Sequence, residues 1–373
     1  MAILGRRRAT AGEGSIAADL NALRHPDVES AWVIVLIARF DTSIAHRNDL
    51  SVDVLTRRLV ELSATAPLVA ARLRDGQWEG ADVGSVSVSR CGDPVAVAPT
   101  HPFVLDREPP LRVTVAADQS WVMLCGHHFA FDGLEMVSML AMLAGGPPPV
   151  ALVDRRSPRL AMPWASLRRM AAPADRVAPS AEPPPAESMI SLPVSLDGKE
   201  VTARLADACV RAVRAHNETT GWPCRRVGVS VALGGASGER GSYRRVDIPA
   251  GADARSCVAA ALATAAIPIE LVHAPPVPRA LMPLVRRLSD TILVSNLGRR
   301  EIPGAQRLDF FPVARGRSAV AFGIAGLSGA GSTLTIRARY LDIGAAGALL
   351  DGVIARFTSG TSSSGTSSSG SCP

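Results

Sequence analysis

Runs of apolar residues and their spacing predict that strands alternate with helices in the first half of the chain. Ala31–Ile37 is an unbroken β-rich run, which is typical of a strand buried on both faces. Apolar residues recur at helical spacing over Val52–Leu62 and again over Leu134–Leu143. Between these helices, Leu111–Val115 and Trp121–Cys125 predict two strands joined by a turn. The pattern therefore predicts an α/β (α+β) fold.

The rest of the chain shows the same two periodicities. Helices are predicted where apolar residues recur at helical spacing, and strands where β-branched residues cluster. The further predicted elements are strands at Val69–Leu73, Val83–Val88, Val227–Leu233, Tyr243–Ile248 and Ile292–Gly298, a hairpin of Ala319–Gly326 with Thr333–Tyr340, and helices at Val201–Ala215, Ala254–Ala266 and Ala345–Phe357.

A change in composition divides the chain into two lobes. Pro and Arg become frequent after Gly145, and Pro183–Pro185 lies near the end of this stretch, so an interlobe linker is predicted there. The final stretch contains mainly Ser, Gly and Thr, which bury little apolar surface. The predicted division is an N-terminal lobe at 15–145, a Pro-rich linker at 146–192, a C-terminal lobe at 193–357 and a disordered Ser/Gly tail at 358–373.

Composition narrows the classes of partner. Hydrophobic residues make up 47% of the 373 residues and charged residues 20%, which is typical of a globular protein. Aromatic residues make up only 4%, and the net charge is +6, with Arg6–Arg8 as the only run of three basic residues. Nucleic-acid-binding proteins usually concentrate basic residues and interleave stacking aromatics, so that class is disfavoured. The mild positive charge better suits an acidic partner, such as a phosphopantetheine carrier domain or the phosphates of coenzyme A.

The spacing of the cysteines and the lengths of the apolar runs indicate the cellular compartment of the protein. The six cysteines form no CxxC pair, so neither a zinc ribbon nor a redox motif is predicted. Ala11–Gly14 follows Arg6–Arg8 where a signal peptide would have an apolar segment. The longest apolar run, Ala31–Ala38, is too short to span a bilayer. We therefore predict a cytoplasmic protein without a membrane span.

The segment His127-His128-x-x-x-Asp132-Gly133 concentrates the chemistry of the chain. It lies between a predicted strand and a predicted helix. Successive side chains of an extended segment point in opposite directions, so one histidine is expected in the core and the other toward an opening. A neutral imidazole, with an ordinary pKa of about 6.5, can take a proton at neutral pH. Acyl transfer to an alcohol or amine requires such a base.

Other roles for these residues remain open from spacing alone. Asp132 followed by Glu135 fits a helix N-cap with a capping box, and a buried Asp can in addition pair with an arginine. A single buried histidine is more often a core residue than a catalyst. A metal site of His127, His128 and Asp132 is disfavoured, because adjacent histidines on an extended segment point apart. No metal is therefore predicted.

Ser295 and Asn296 stand at the end of a predicted strand and have two open interpretations. They can supply hydrogen bonds to an oxyanion or to a pantetheine arm, or they can simply form a strand-end turn. Cys125 lies in an apolar strand and is interpreted as a buried structural residue. Gly234–Gly238 lacks the lysine of a P-loop and is interpreted as a surface loop.

Three segments together resemble the condensation-domain and HHxxxDG acyltransferase superfamily, which includes chloramphenicol acetyltransferase. His127–Gly133 resembles the HHxxxDG signature, Pro109–Val113 resembles the "PPLR" strand, and Ser295–Gly298 resembles the "SNLG" segment. They occur in the expected order, and the resemblance covers most of residues 15–357. The DFGWG segment of some members is missing, and Asp309–Pro312 is at best a remnant of it.

The resemblance implies a fold and a set of roles. It implies two chloramphenicol-acetyltransferase-like lobes, each a mixed sheet with flanking helices, that meet at a tunnel. His128 is expected to be the general base and His127 a structural residue. Asp132 is expected to brace the loop through an arginine, for which Arg112 is a candidate. The residues expected at the tunnel are Gly133, Ser295 and Asn296.

The function implied is acyl transfer in natural-product biosynthesis. An acyl group on coenzyme A or on a phosphopantetheinyl carrier protein would pass to an alcohol or amine acceptor, giving an ester or amide, with no bound cofactor. Two alternatives stay open. One is a catalytically silent module that docks carrier proteins, and the other is a non-acyl-transfer reaction on the same fold. The donor, the acceptor and the oligomeric state are not fixed by the sequence.

Overall fold

A computed structural model describes the chain in segments. The described residues are 32–41, 49–74, 77–80, 86, 88–94, 103–128, 130–149, 171–184, 186–233, 242–263, 287, 289–314 and 318–359. The predicted glycine loop at 234–238 lies outside them. Of the predicted tail at 358–373, Thr358 and Ser359 belong to the last helix, and the rest lies outside the described residues.

Strands and helices alternate along the described chain. In chain order the elements are β1 (Val33–Phe40), α1 (Val52–Thr65), β2 (Ala71–Arg74), β3 (Gln77–Gly80), β4 (Val88–Cys91), β5 (Leu111–Ala116), β6 (Trp121–His127), α2 (Gly133–Leu143), β7 (Ser188–Val194), α3 (Val201–Thr219), β8 (Arg226–Leu233), β9 (Ser242–Pro249), α4 (Ala254–Ala263), β10 (Ile292–Arg300), β11 (Ala305–Phe311), β12 (Val320–Leu327), β13 (Ser332–Ala338) and α5 (Ile343–Ser359).

The first large sheet has five strands in the order β11-β1-β6-β5-β4. All its pairs are antiparallel except β4 with β5. Strand β1 is buried on both faces, as its unbroken apolar run predicts. Ile34, Leu36 and Ala38 face one core, which also contains the buried residues of α1 and α2. Val33 and Ile37 face another cluster on the opposite side of the sheet.

The second large sheet has six strands in the order β7-β13-β12-β10-β8-β9. The pairs β12–β10 and β10–β8 are parallel and the other pairs are antiparallel, so this sheet is also mixed. Buried apolar residues of α3, α4 and α5 pack with this sheet to form the largest core of the second half of the chain. A small two-stranded sheet pairs β2 with β3. The prediction of an α/β fold with two mixed sheets and flanking helices is confirmed.

Strand β11 connects the two halves of the chain. It comes late in the sequence, yet it pairs antiparallel with β1 in the first sheet, with Leu36 opposite Phe310. The Thr333 hydroxyl on β13 donates to the carbonyl of Leu308 at 2.5 Å, and the Thr335 hydroxyl donates to the carbonyl of Phe310. The second sheet therefore binds the backbone of a strand that belongs to the first.

Asp309 is a fully buried carboxylate on this strand. It forms ion pairs with Arg39 at 3.1 Å and Arg307 at 2.7 Å, and it accepts a hydrogen bond from Ser191 at 2.6 Å. Arg39 comes from β1 and Ser191 from β7, so one side chain is bonded to strands of both large sheets. These partners offset the cost of removing the carboxylate from water.

Two of the predicted strands differ from the structure in position. The strand predicted at Val69–Leu73 is a 3₁₀ turn, Pro67–Ala70, followed by β2, because Pro67 favours the start of a helical turn. The strand predicted at Val83–Val88 is observed as β4, from Val88 onward, with 83–85 and 87 outside the described residues. Strand β7 begins at Ser188, inside the stretch predicted as a linker. The division into lobes at 15–145, 146–192 and 193–357 remains a prediction.

No helix in the described part of the chain is long and apolar enough to cross a membrane.

Candidate active site

The end of β6 delivers two histidines to different surroundings. The backbone N–H of His127 donates to the carbonyl of Pro110, and the backbone N–H of His128 donates to the carbonyl of Trp32, each at 2.8 Å. These bonds hold the turn after β6 to the strands on either side of it. The backbone positions of both histidines are therefore fixed by hydrogen bonds.

His127 is enclosed in the protein. Its side chain is buried, and its ring lies perpendicular to that of Phe103, with 5.9 Å between the ring centroids. Burial, together with a smaller effect of the neighbouring His128, lowers the pKa of His127 to about 3. A ring that stays neutral and enclosed suits the structural role expected for it.

His128 is only partly buried and bonds at both ring nitrogens. Its Nδ1 lies 3.1 Å from the carbonyl oxygen of Phe131, and its Nε2 lies 2.5 Å from the hydroxyl of Tyr243. A carbonyl oxygen only accepts hydrogen bonds, so Nδ1 of the neutral ring carries the proton. Nε2 then keeps its lone pair and accepts from the Tyr243 hydroxyl. The geometry prepares Nε2 to act as a base.

Asp132 is the N-cap of α2. Its Oδ1 accepts from the backbone N–H groups of Leu134 and Glu135, both at 2.9 Å, and Glu135 Oε2 accepts from the backbone N–H of Asp132 at 2.5 Å. This is the capping box that the spacing predicts. The structure thus shows a helix-capping function for Asp132.

Arg112 lies on β5, and the contacts described for it are with residues other than Asp132. Its guanidinium forms an ion pair with Glu108 at 2.8 Å and lies 4.0 Å from the centre of the Phe103 ring. The same Phe103 ring packs against His127, so Arg112 and His127 share this neighbour. A pairing of Arg112 with Asp132 remains a prediction.

A cavity of about 70 Å³ lies where the two large sheets meet. Its lining combines the turn after β6, the start of α2 and strands of both sheets. Among the described residues of the lining, most side chains are apolar and Asp132 is the one carboxylate. The lining residues are Ile34, His128, Asp132, Gly133, Leu134, Ala232, Tyr243, Leu293, Ser295, Asn296, Leu297, Phe310, Pro312 and Val313.

Strand β10 contributes Ser295 and Asn296 to this cavity in different ways. Ser295 alternates with Leu293 and Leu297, which also line the cavity, whereas Val294 faces the core of the second half. The Asn296 side chain donates to Thr202 Oγ1 at 3.0 Å and accepts from the backbone N–H of Gly298 at 2.7 Å. Asn296 therefore braces a β-bulge, and Ser295 is the better placed of the two to contact a substrate.

Gly133 is the first residue of α2 and approaches β10 closely. A Cβ atom at this position would lie 2.9 Å from Leu297 Cδ2 and 3.4 Å from Phe310 Cε2. Glycine thus keeps the start of the helix against the cavity wall. The structure brings together His128, Asp132, Gly133, Ser295 and Asn296 at one cavity, and it places His127 and Arg112 outside its lining.

Sequence reasoning missed Tyr243 as a site residue. It stands on β9, 115 positions after His128, and no spacing rule connects the two. The sequence feature that could have drawn attention to Tyr243 is the scarcity of tyrosine, since the chain has two tyrosines. As for metals, no group of three or more His, Cys, Asp or Glu side chains among the described residues could hold an ion.

Comparisons with known proteins give a match in structure but not in sequence. No family model and no curated protein match the sequence. The first condensation domain of the calcium-dependent antibiotic synthetase, solved with a substrate analogue, matches with a TM-score of 0.53 at 14% identity. The match covers 95% of this chain and 96% of that one. The chain has the condensation-domain fold.

Two further structures share this condensation-domain fold. One is a mutant starter condensation domain of rhizomide synthetase in complex with C8-CoA and Leu-SNAC, with a TM-score of 0.54, 11% identity and 92% coverage of both chains. The other is the epimerization domain from the third module of tyrocidine synthetase B. Its TM-score is 0.50 at 11% identity, with 88% of this chain and 90% of that one covered. At these identities the condensation-domain likeness establishes the fold and leaves the reaction to be argued from the site.

Proposed function

We propose that the protein is an acyltransferase that moves an acyl group from a coenzyme A or carrier-protein thioester to an alcohol or amine. The observation that carries this proposal is the pair of contacts that His128 makes, Nδ1 with the Phe131 carbonyl and Nε2 with the Tyr243 hydroxyl. The Phe131 carbonyl lies against Nδ1, so Nε2 carries the lone pair and points it at the Tyr243 hydroxyl, in a cavity lined by both sheets. A positioned neutral imidazole of this kind suits removal of a proton from an attacking hydroxyl or amine.

The chemistry requires a base and a donor of hydrogen bonds. As the acceptor attacks the thioester carbonyl, its proton passes to His128, and negative charge develops on the carbonyl oxygen. Ser295 lines the same cavity, and its hydroxyl can donate to that oxygen. Collapse of the tetrahedral intermediate breaks the carbon–sulfur bond, and the departing thiolate takes the proton back from His128. The products are an ester or amide and a free thiol.

A covalent intermediate on the nearest cysteine is disfavoured. Cys125 precedes the histidine pair by two positions, and burial raises the pKa of its thiol to about 12, although Arg337 and Arg112 act in the opposite direction. The thiolate is the nucleophilic form of cysteine, and this residue stays protonated at neutral pH. Direct attack of the acceptor on the thioester is therefore the route proposed.

The cavity lining bears on the substrates. Apolar side chains from both sheets surround His128, and neither lysine nor arginine occurs among the lining residues described. An uncharged, apolar acyl chain or acceptor group suits this lining. Because a domain with the same fold was solved with C8-CoA, a medium-chain acyl-coenzyme A is the first donor to test.

The test measures thiol release from a panel of acyl-coenzyme A and acyl-carrier thioesters, with mixed alcohol and amine acceptors. Wild type should release thiol only when an acceptor is present. His128→Ala should lower turnover by about 10²–10⁴-fold, the usual contribution of a general base. His216→Ala is a matched control, because His216 lies on α3, outside the cavity lining, and its Nε2 is hydrogen-bonded to the carbonyl of Ala178. Unchanged turnover in His128→Ala would refute the assigned role.

Two alternative functions give different results in the same assay. A carrier-docking module would bind acyl-carrier protein and release no thiol with any acceptor. A reaction without acyl transfer has support from the likeness to an epimerization domain, since His128 can remove a carbon-bound proton as well. That reaction would exchange deuterium from solvent into the carrier-bound substrate without releasing thiol.

A further inference from the structure

Tyr243 contacts the base directly. It stands on β9, where its backbone pairs with Ala232 of β8, and its hydroxyl lies 2.5 Å from His128 Nε2. The two rings are nearly perpendicular, at 82°, with 6.3 Å between their centroids. The second sheet thus supplies a hydroxyl to the imidazole that the first sheet presents.

One lone pair limits what can bond to this nitrogen. With Nδ1 protonated, Nε2 of a neutral imidazole accepts a single hydrogen bond in the plane of the ring. The Tyr243 hydroxyl takes that position. An acceptor substrate therefore either displaces the phenol or passes its proton to Nε2 through the phenol.

The packing of Tyr243 favours the second route. Its side chain packs against a cluster of Leu293, Ala314 and Ala321, all of which are buried. Its backbone is held in the sheet by β8. Moving the phenol aside would cost these contacts. At the same time Tyr243 lines the cavity, so a substrate there can reach the lone pairs of its hydroxyl oxygen.

We infer that Tyr243 is a catalytic residue that relays the proton of the acceptor to His128. This inference rests on the proposed acyl transfer. The acceptor O–H or N–H bond breaks as its proton joins Tyr243 Oη, and the original phenolic proton moves to His128 Nε2. The freed lone pair of the acceptor attacks the thioester carbonyl. When the carbon–sulfur bond breaks, the proton on Nε2 returns through Tyr243 to the thiolate, which restores both residues.

The experiment compares Tyr243→Phe with Tyr340→Phe. Phenylalanine keeps the ring and removes the hydroxyl, and Tyr340 is the one other tyrosine of the chain, outside the cavity lining. Tyr243→Phe should lower kcat by on the order of 10²-fold, with little change in KM for the acceptor. Tyr340→Phe should leave both unchanged. A double variant of Tyr243→Phe with His128→Ala should be no slower than His128→Ala alone, because both residues act on one proton.

The results distinguish proton relay through Tyr243 from displacement of the Tyr243 phenol by the acceptor. If Tyr243→Phe kept wild-type kcat, or gained kcat with a lower acceptor KM, the phenol would be a competitor of the acceptor and the relay would be wrong. The ¹⁵N resonance of His128 Nε2 gives a readout that does not depend on turnover. It should move in Tyr243→Phe and stay in place in Tyr340→Phe, and an unmoved resonance would overturn the contact itself. Absence of wild-type turnover with every donor would overturn the acyl transfer, and the relay with it, even if the resonance moved.

Discussion

Asp132 lines the same cavity as His128 and also caps a helix, and substitutions can distinguish a role in the proposed chemistry from the role in capping. Asp132→Ala removes the acceptor of two backbone N–H groups and should lower the free energy of unfolding by about 0.5–2 kcal/mol. Asp132→Asn keeps an amide oxygen at the cap and should lose only a few tenths of a kcal/mol. Urea unfolding of both variants measures the difference. A large loss of turnover in a stable Asp132→Asn protein would show that the charge takes part in the chemistry.

His127 should make stability depend on pH. Its pKa falls from about 6.5 in the unfolded chain to about 3 in the fold, so below pH 6.5 the unfolded chain binds a proton that the native protein excludes. Stability from this residue is complete above pH 6.5 and is lost as the pH falls toward 3, at up to about 1.4 kcal/mol per unit. Urea unfolding at pH 7 and pH 5 should show a steeper loss in wild type than in His127→Gln, which cannot titrate. Equal slopes would contradict the burial of a neutral ring.

At the residue scale, sequence patterns pointed to several of the side chains that line the cavity, and their roles remain predictions. Local patterns identified His128 and Asp132, since both stand at the junction of a strand and a helix. Ser295 was found through a second motif, although its alternative as a plain turn was equally open. Tyr243 could not be found, because its contact with His128 depends on how the two sheets meet and no local spacing encodes that.

At the scale of elements, Gly323 sets how closely β12 approaches β11. A Cβ atom there would overlap the carbonyl oxygen of Phe310 and lie 2.7 Å from Pro312 Cδ. Gly323→Ala should therefore lower the free energy of unfolding by about 1–3 kcal/mol, the usual cost of overpacking. Gly331→Ala is the control, because a Cβ atom at that position would have no neighbour within 4 Å. Thermal unfolding of both variants tests this, and equal midpoints would refute the close approach.

The neighbouring strands β1 and β11 show which strands a hydrophobic pattern in the sequence can predict and which it cannot. Strand β1 is apolar throughout and was predicted. Strand β11 carries Gln306 and Arg307 near its start and places a carboxylate, Asp309, at a fully buried position, and a hydrophobic pattern does not predict a strand from such residues. Its burial is possible because Arg39 and Arg307 lie at contact distance in the fold. Such compensation comes from distant parts of the chain and is therefore hidden from local reasoning.

On the scale of the whole molecule, Arg337 holds the two halves of the chain together. It is almost fully buried on β13, pairs with Glu187 at 2.5 Å and donates to the carbonyl of Val33 on β1. Arg337→Met would leave the largely enclosed Glu187 carboxylate, whose side chain is 9% exposed, without this partner and should cost about 3–5 kcal/mol. Arg255→Met breaks an exposed pair with Glu200 and should cost less than about 1 kcal/mol. Chemical denaturation compares them, and similar losses would contradict the bridging role of Arg337.

The late position of β11 has a consequence for synthesis on the ribosome. The chain emerges from its N-terminus, so β1 is made long before residue 311 leaves the exit tunnel. Until then one edge of β1 displays free N–H and C=O groups, which invite pairing with another nascent chain. A fragment that ends after α2 would keep that edge permanently. We therefore expect such a fragment to aggregate when expressed alone, and expect the first sheet to be completed only after translation has passed β11.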